Sequence, residues 1–331
     1  MSDVSVIGAG AWGTAFAAHL ARNGARVLLW VFEPELCEIL RSQRENTFYL
    51  PGITLPAGVT FTTDLTVAVE ANDDLIVATP SFALEPTLTP MGAALKGKRL
   101  LLLTKGLDTG NLSRMSEVAG TIAGDQAAVA VLSGPSFAAE VARAVFTSAV
   151  IASAERELAR HFQALCHDER FRVYTTDDVL GVELGGALKN VMAIGAGIIE
   201  GLALGNNTLA AYVTRALAEM KRLGRAMGAR ETTFMGLSGM GDLVLTCTGP
   251  LSRNRMFGIE LARGRKPQEI IHSQKTVVEG YYTTAAAHRL SQSRGVDMPI
   301  TDELYRILYD GKGIRASMEE ITRRDVKEED E

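Results

Sequence analysis

Apolar positions in the first half of the chain come in short unbroken runs rather than in alternation. "VSVIGAG" (4–10), "RVLLWV" (26–31), "DLIVATP" (74–80), "RLLLLTKG" (99–106) and "AVAVLSGPS" (128–136) are apolar at their centres, and most end in Gly, Pro, Ser or Thr. Helical periodicity fills most of the gaps, at 12–23, 82–95 and 112–123. A strand that is apolar on both faces must be covered on both, and helices between such strands supply the cover. The pattern predicts an α/β fold with a Rossmann-type, doubly wound parallel sheet over residues 1–178. Two further runs, "TSAVIAS" (147–153) and "FRVYTT" (171–176), extend that sheet.

After residue 178 the pattern changes. Helical periodicity recurs at 179–200, 209–227, 252–263, 277–294 and 302–308, and no strand pattern remains. The second half is expected to be an all-α C-terminal domain over 179–322. The charge run "RRDVKEEDE" (323–331) reads as a solvated tail. The first long helix carries an oddity, because Lys189 is the only ionisable side chain between Leu184 and Ile199. Burial of an ammonium is costly and lowers its pKa. Its stem could carry the charge to the surface, or the lysine could be kept for proton transfer. Periodicity leaves both open.

A chain of 331 residues has room for two domains, and its net charge of -5 gives no reason to expect a nucleic-acid surface. Cys37, Cys166 and Cys247 are far apart, with no CxxC, and the histidines form no HxxxH or HExxH. That usage suits a reduced compartment and gives no metal site. No basic leader precedes the strand at Val4, and Lys189, Asn190 and Glu200 interrupt the longest apolar stretch. The expectation is a cytoplasmic protein without membrane insertion.

Gly8, Gly10 and Gly13 stand in GxGxxG spacing between a strand and a helix, with a second strand following. That context makes the spacing a dinucleotide fingerprint. Gly8 permits the turn, Gly10 lets a pyrophosphate approach, and Gly13 allows helix and strand to pack closely. The amides of Ala11 to Gly13 then face the phosphates. An acid at the end of the second strand suits a ribose 2′-hydroxyl, and an arginine suits a 2′-phosphate. Phe32 stands near that position and Glu33 follows, either as a ribose ligand or as a solvated residue before Pro34. NAD and NADP both remain open.

In such a sheet, ligands bind beyond the carboxyl ends of the strands. Thr79-Pro80-Ser81, Thr104-Lys105-Gly106 and Ser133-Gly134-Pro135-Ser136 therefore share one rim. Lys105 emerges directly behind four leucines and offers a compact positive charge, or is a plain loop lysine. Ser136 could cap a helix. Asp242, after a glycine-rich turn, could do the same or act in the site. Ser252, Arg253, Asn254 and Arg255 follow Gly249-Pro250 at a helix start, a combination that favours anion binding.

"GAGAWGTA", "TKGL", "SGPSFAAE", "GGALKNVMAIGAG", "MGLSGMGDLVLTCT", "SRNRMFG", "VVEGY" and "MPI" occur in this order. Over residues 3–315 the chain resembles the bacterial NAD(P)-dependent glycerol-3-phosphate dehydrogenases. The resemblance implies interconversion of dihydroxyacetone phosphate and sn-glycerol 3-phosphate, feeding phospholipid synthesis. It makes Lys189 the catalytic proton donor and acceptor. Substrate contacts carry over to Lys105, Gly134, Ser136, Lys189, Asp242, Ser252, Arg253 and Asn254. Cofactor contacts carry over to Ala11, Trp12, Lys105, Ala138, Arg253, Val277 and Glu279, beside the fingerprint glycines and the Phe32 position. Two departures stand out: Ala11 replaces a frequent serine, and Phe32-Glu33 replace a basic residue, which leaves NADP preference in doubt.

Small residues at Gly185, Gly186 and Ala187 are expected to let substrate and cofactor lie against the helix. A homodimer through the helical half is compatible with its apolar content. Two rival functions remain: a related dehydrogenase of the same plan acting on a hydroxy acid, and, in a different class, a dinucleotide-sensing regulatory protein without turnover. The Ser252–Arg255 cluster argues against the first, and Lys189 with Lys105 against the second.

Overall fold

The computed structural model describes residues 3–124, 127–273 and 276–323, together with Glu328. The chain opens with β1 (Asp3–Ile7), α1 (Ala11–Arg22), β2 (Arg26–Trp30), α2 (Pro34–Gln43), β3 (Glu45–Asn46), β4 (Leu50–Thr54), β5 (Val59–Thr62) and α3 (Leu65–Ala71). It continues with β6 (Asp74–Val77), α4 (Ser81–Leu88), β7 (Arg99–Leu102), α5 (Met115–Ala123), β8 (Ala128–Ser133), α6 (Ala138–Ala142), β9 (Thr147–Ala152), α7 (Arg156–Cys166) and β10 (Phe171–Thr176). One sheet takes the order β10-β9-β8-β7-β6-β1-β2-β5, and β3 pairs with β4 apart from it.

Burial explains why the strand runs are unbroken. Leu101 and Leu103 pack with Phe16, Leu20 and Phe162 on one face of the sheet. Leu100 and Leu102 pack with Leu84, Leu88 and Val118 on the other. Neighbouring residues of β7 thus serve opposite layers, and neither face tolerates a polar alternate.

The sheet departs from the expected all-parallel arrangement at a single junction. β8 and β9 pair antiparallel, with Ser133 opposite Val150, while β9 and β10 are parallel to each other. Between them the chain forms only the short α6, which packs on α1. It returns beside β8 instead of crossing over the sheet, as a parallel connection would require. Sequence periodicity also passed over β5 on the edge and the β3–β4 hairpin, whose polar residues and glycine blur the strand signal. The helix expected at 82–95 is α4 followed by a 3-10 turn, Thr89–Leu95, with Pro86 and Pro90 in the segment. The helix expected from 112 starts at Met115, because Leu112 is left-handed (φ 65°) in a loop closed by a bridge between Leu107 and Arg114.

The second half is helical throughout its described residues. Its elements are α8 (Val179–Gly201), α9 (Asn206–Met227), α10 (Glu231–Phe234), a π turn (Leu237–Gly241), α11 (Asp242–Thr248), α12 (Arg253–Ala262), α13 (Pro267–Ser273), α14 (Glu279–Arg294), α15 (Pro299–Tyr309) and α16 (Ile314–Thr322). The charged tail expected at 323–331 lies outside the described residues, apart from Arg323 and Glu328. Among the described residues α8 is the one helix long and apolar enough to cross a membrane, and that stretch is buried entirely within the protein.

α8 is the axis on which the other helices pack, and its glycines are contact points. A Cβ on Gly197 would stand 2.0 Å from the Arg255 carbonyl of α12, and one on Gly258 would stand 2.0 Å from the Ile194 carbonyl. The two helices therefore meet backbone to backbone. Gly197→Ala should destabilise the protein by about 3 kcal/mol, the upper range for overpacking a tight core. Urea unfolding checks this, and an unchanged midpoint would show that α8 and α12 part without cost.

Candidate active site

The carboxyl ends of β1, β6, β7 and β8 open towards the helical half. At β1 the chain turns through Gly8, whose φ of +114° an L side chain rarely adopts. A Cβ on Gly13 would stand 1.9 Å from the Gly8 carbonyl, so the third glycine is what lets α1 start against the strand end. Gly10 is different, with no atom within 4 Å of its ideal Cβ. It also N-caps α1 without a side-chain hydrogen bond, which leaves the first-turn amides of Ala11, Trp12 and Gly13 as open donors. The Trp12 indole N–H is buried and has no partner among the described residues. Uncapped amides, an orphaned indole donor and clear space above Gly10 fit a dinucleotide pyrophosphate. Ala138, at the start of α6, packs against the same small apolar cluster as Trp12.

At the end of β2, Phe32 is 74% exposed, edge-on to Trp30. Glu33 is not merely solvated, since the Tyr49 hydroxyl donates to it at 2.6 Å. Burial, and then Glu33, push the Tyr49 phenol up to about 12, so it remains a donor. Tyr49 and Asn46 carried no sequence signal, because the short hairpin that holds them reads as loop.

Where the two halves meet, Asp242 joins two lysines. Lys189 Nζ on α8 donates to its Oδ1 at 2.5 Å, and Lys105 Nζ after β7 donates to its Oδ2 at 2.7 Å. Lys189 also donates to Thr246 Oγ1 at 3.0 Å, and Lys105 to the Gly134 carbonyl at 3.2 Å. Asp242 is completely buried and Lys189 is 8% exposed. The Lys189 charge therefore does not reach the surface, and Asp242 does not cap a helix. Burial lowers the Lys189 pKa to about 8; Asp242 opposes the fall and Lys105 adds to it. Burial would raise the Asp242 carboxyl, but the two ammoniums outweigh it and hold the group below its ordinary value. Thr246 escaped the sequence reading, although its spacing of four residues from Asp242 on one helix was the available signal.

Several other expectations change. Ser136 does not cap α6; its hydroxyl donates to the Gly134 carbonyl at 3.0 Å. Gly134 itself has φ +141°, and a Cβ there would stand 2.9 Å from Ala149 Cα. Gly185 and Gly186 do not open a ligand surface on α8. A Cβ on Gly185 would meet the Ser238 carbonyl at 2.5 Å, and one on Gly186 would meet Ser133 Oγ at 2.8 Å with the Lys105 stem beyond. Ala187 is wholly buried in the helical core.

The Ser252–Arg255 cluster divides by role. Ser252 caps α12, accepting from the Arg255 amide at 3.3 Å. Asn254 donates to Asn190 Oδ1 at 2.8 Å and accepts from the Gly280 amide at 2.9 Å, tying α12 to α8 and α14. Arg255 pairs with Glu200. Arg253 is exposed and makes no hydrogen bond or ion pair among the described residues, which leaves it free for an anion. Glu279, just after Val277 at the start of α14, accepts from the Ser81 amide at 3.0 Å and the Ser81 hydroxyl at 2.6 Å, a direct tie between the halves. Burial raises the Glu279 carboxyl, against the pull of Ser81 and Arg253.

A Rossmann half with a glycine turn at its first strand end, joined to a helical half through Lys105, Asp242 and Lys189, has the plan of a two-domain, dinucleotide-dependent dehydrogenase. Residues 3–159 match the family profile of the NAD-dependent glycerol-3-phosphate dehydrogenase N-terminus, and residues 178–319 match that of its C-terminus. The chain belongs to the NAD-dependent glycerol-3-phosphate dehydrogenase family. It is 49% identical to a glycerol-3-phosphate dehydrogenase (NAD(P)+) of Geobacter metallireducens, over 98% of each chain. The crystal structure of glycerol-3-phosphate dehydrogenase from Coxiella burnetii is 38% identical, with a TM-score of 0.94 over 98% of this chain and 99% of that one. The yeast glycerol-3-phosphate dehydrogenase structure is 29% identical, with a TM-score of 0.82 over 97% and 99%.

The Asp242 carboxylate lies between the buried Lys189 ammonium and the half-buried Lys105 ammonium. Asp242→Asn should cost about 3–5 kcal/mol of stability near neutral pH, as removal of one partner from a buried ion cluster does. Raising the pH through about 8 discharges Lys189, so the gap from wild type should narrow there. Denaturant unfolding at pH 7 and pH 9 tests both; a gap independent of pH would mean that Lys189 is already neutral.

Proposed function

We propose that this protein interconverts dihydroxyacetone phosphate and sn-glycerol 3-phosphate with a nicotinamide dinucleotide, and that in the cytoplasm its product supplies phospholipid synthesis. The observation that carries this reading is the chain Lys105–Asp242–Lys189, which joins a strand end of the Rossmann half to the central helix of the other half. Residues 1–178 hold the dinucleotide in this proposal, and 179–322 supply the proton and anchor the phosphate.

A bound nicotinamide dinucleotide supplies the hydride. Everything else falls to the chain. Lys189, as the ammonium, polarises the ketone and passes its proton to the oxygen as alkoxide character develops. In the other direction the neutral amine takes the hydroxyl proton. Asp242 holds Lys189 and Lys105 in place and favours the Lys189 ammonium against the pull of burial. Arg253, with the amides that open α12 behind Ser252, grips the phosphate. Gly134, Ser136 and Asn254 shape the remaining wall, as the family resemblance has them. A hydroxy-acid substrate would also pair with Arg253, but one carboxylate leaves part of this positive site unanswered.

Initial rates of dihydroxyacetone phosphate reduction with NADH and NADPH test the reading. Silence with both, from folded protein that binds a dinucleotide, would overturn it. Lys189→Met should leave no more than a few per cent of wild-type turnover while dinucleotide binding persists, on the scale expected for loss of a general acid. Arg253→Ala should mainly raise the KM for the phosphorylated substrate; an unchanged KM would move the phosphate site elsewhere. With a Lys189 pKa of about 8, kcat/KM for reduction should fall as pH rises through that value, because the acid form is lost. The oxidation should rise over the same range, and flat profiles would remove Lys189 as the proton donor.

A further inference from the structure

The end of β2 is tied to the glycine turn by side chains that the hydride and proton chemistry does not use. Asn46 is wholly buried. It donates to the Ala9 carbonyl and to Thr14 Oγ1, both at 2.8 Å, and accepts from the Tyr49 amide at 3.0 Å. The Tyr49 hydroxyl then reaches Glu33 Oε1 at 2.6 Å. A continuous path of hydrogen bonds and one short hairpin thus runs from the fingerprint loop to the Glu33 carboxylate. Among the described residues no donor reaches the other Glu33 oxygen.

Glu33 lies twenty residues beyond Gly13, the distance at which dinucleotide folds place the acid that accepts from a ribose 2′-hydroxyl. A 2′-phosphate needs arginine or lysine instead. Residues 31–35 contain neither. The two arginines that follow are turned to other partners. Arg41 pairs with Glu38 at 2.7 Å, and Arg44 bonds the Pro56 carbonyl with its guanidinium over the Phe61 ring. Phe32 adds an exposed flat ring beside Glu33, suited to stacking and indifferent to the 2′ substituent.

We infer that the adenosine end of this cleft selects a dinucleotide with a free ribose 2′-hydroxyl and rejects its 2′-phosphate, with Glu33 as the discriminating residue and Tyr49 and Asn46 as the residues that position it. The inference rests on the reading that Gly8 to Gly13 bind a nicotinamide dinucleotide. Rejection has two physical sources: the fixed carboxylate repels a phosphate dianion, and residues 31–35 offer that phosphate no cation. Tyr49 matters because a carboxylate free to rotate into water would do neither.

The test is binding, measured without substrate so that turnover plays no part. Titration of the folded protein with NADH and with NADPH, read by the dinucleotide's own fluorescence, should show NADH tighter by at least about tenfold, the worth of one hydrogen bond to a charged group. Glu33→Gln should bring the two affinities to within about threefold, since the repulsion is gone and the acceptor weakened. Tyr49→Phe should narrow the ratio part of the way with Glu33 still in place, a change in selectivity that general loosening of the fold would not produce. NADPH binding as tightly as NADH to wild type, or a ratio unmoved by Glu33→Gln, would overturn the inference. Binding of neither dinucleotide would remove the underlying reading and the inference with it.

Discussion

Asp242 is a carboxylate with no contact with water, and the rest of the structure is arranged so that it can stay ionised. Desolvating such a group costs several kcal/mol, and attraction offsets this only where geometry is close and the oxygens are satisfied. Here each oxygen faces one ammonium, at 2.5 and 2.7 Å. The two lysines come from different halves, Lys105 from a strand end and Lys189 from the central helix. The interaction is thus also a joint between domains. With both lysines charged the trio carries one net positive charge in a nearly dry place, where its field is weakly screened.

Holding that joint requires α8 to be rigid and closely surrounded. A helix with side chains at every core-facing position would stand too far from its neighbours. Glycine at 197 and 258 brings α8 and α12 into backbone contact, and Gly185 does the same with the turn before Asp242. Glycine is normally a poor helix residue, and here tight packing outweighs that penalty. The same closeness puts Thr246 within 3.0 Å of the Lys189 ammonium. The Asn190–Asn254–Gly280 bonds and the Ser81–Glu279 pair extend the joint to α14 and to the end of β6.

The dinucleotide side follows another logic. Its donors are left open instead of being paired within the chain. Among the described residues the first amides of α1 have no side-chain cap, the Trp12 indole has no partner, and Arg253 faces no acid at bonding distance. Open donors are unfavourable in the core and useful at a ligand rim. The contrast between a carboxylate whose two oxygens are both satisfied and donors left open is the electrostatic plan of the candidate cleft.

The fold class and much of the site were legible from residues that are close in sequence. Apolar runs separated by helical periods determined the layered sheet, since burial on both faces leaves no other pattern. GxGxxG between strand and helix determined the turn, because Gly8 and Gly13 answer local steric demands. Lys189 stood out because one charge in an apolar helix needs a partner. The sequence left open whether Asp242 is that partner, since it is 53 residues away and meets Lys189 only through the packing of α8 on α11. The same holds for Arg255, which looks like Arg253 in sequence yet is neutralised by Glu200, and for Glu33, which looks solvated yet is held by Tyr49. The reversal at β9 also lay beyond periodicity, because strand direction is set by how the intervening chain packs. Local sterics and burial can be read along a chain; charge partners depend on distances through space, and only the tertiary structure decides those.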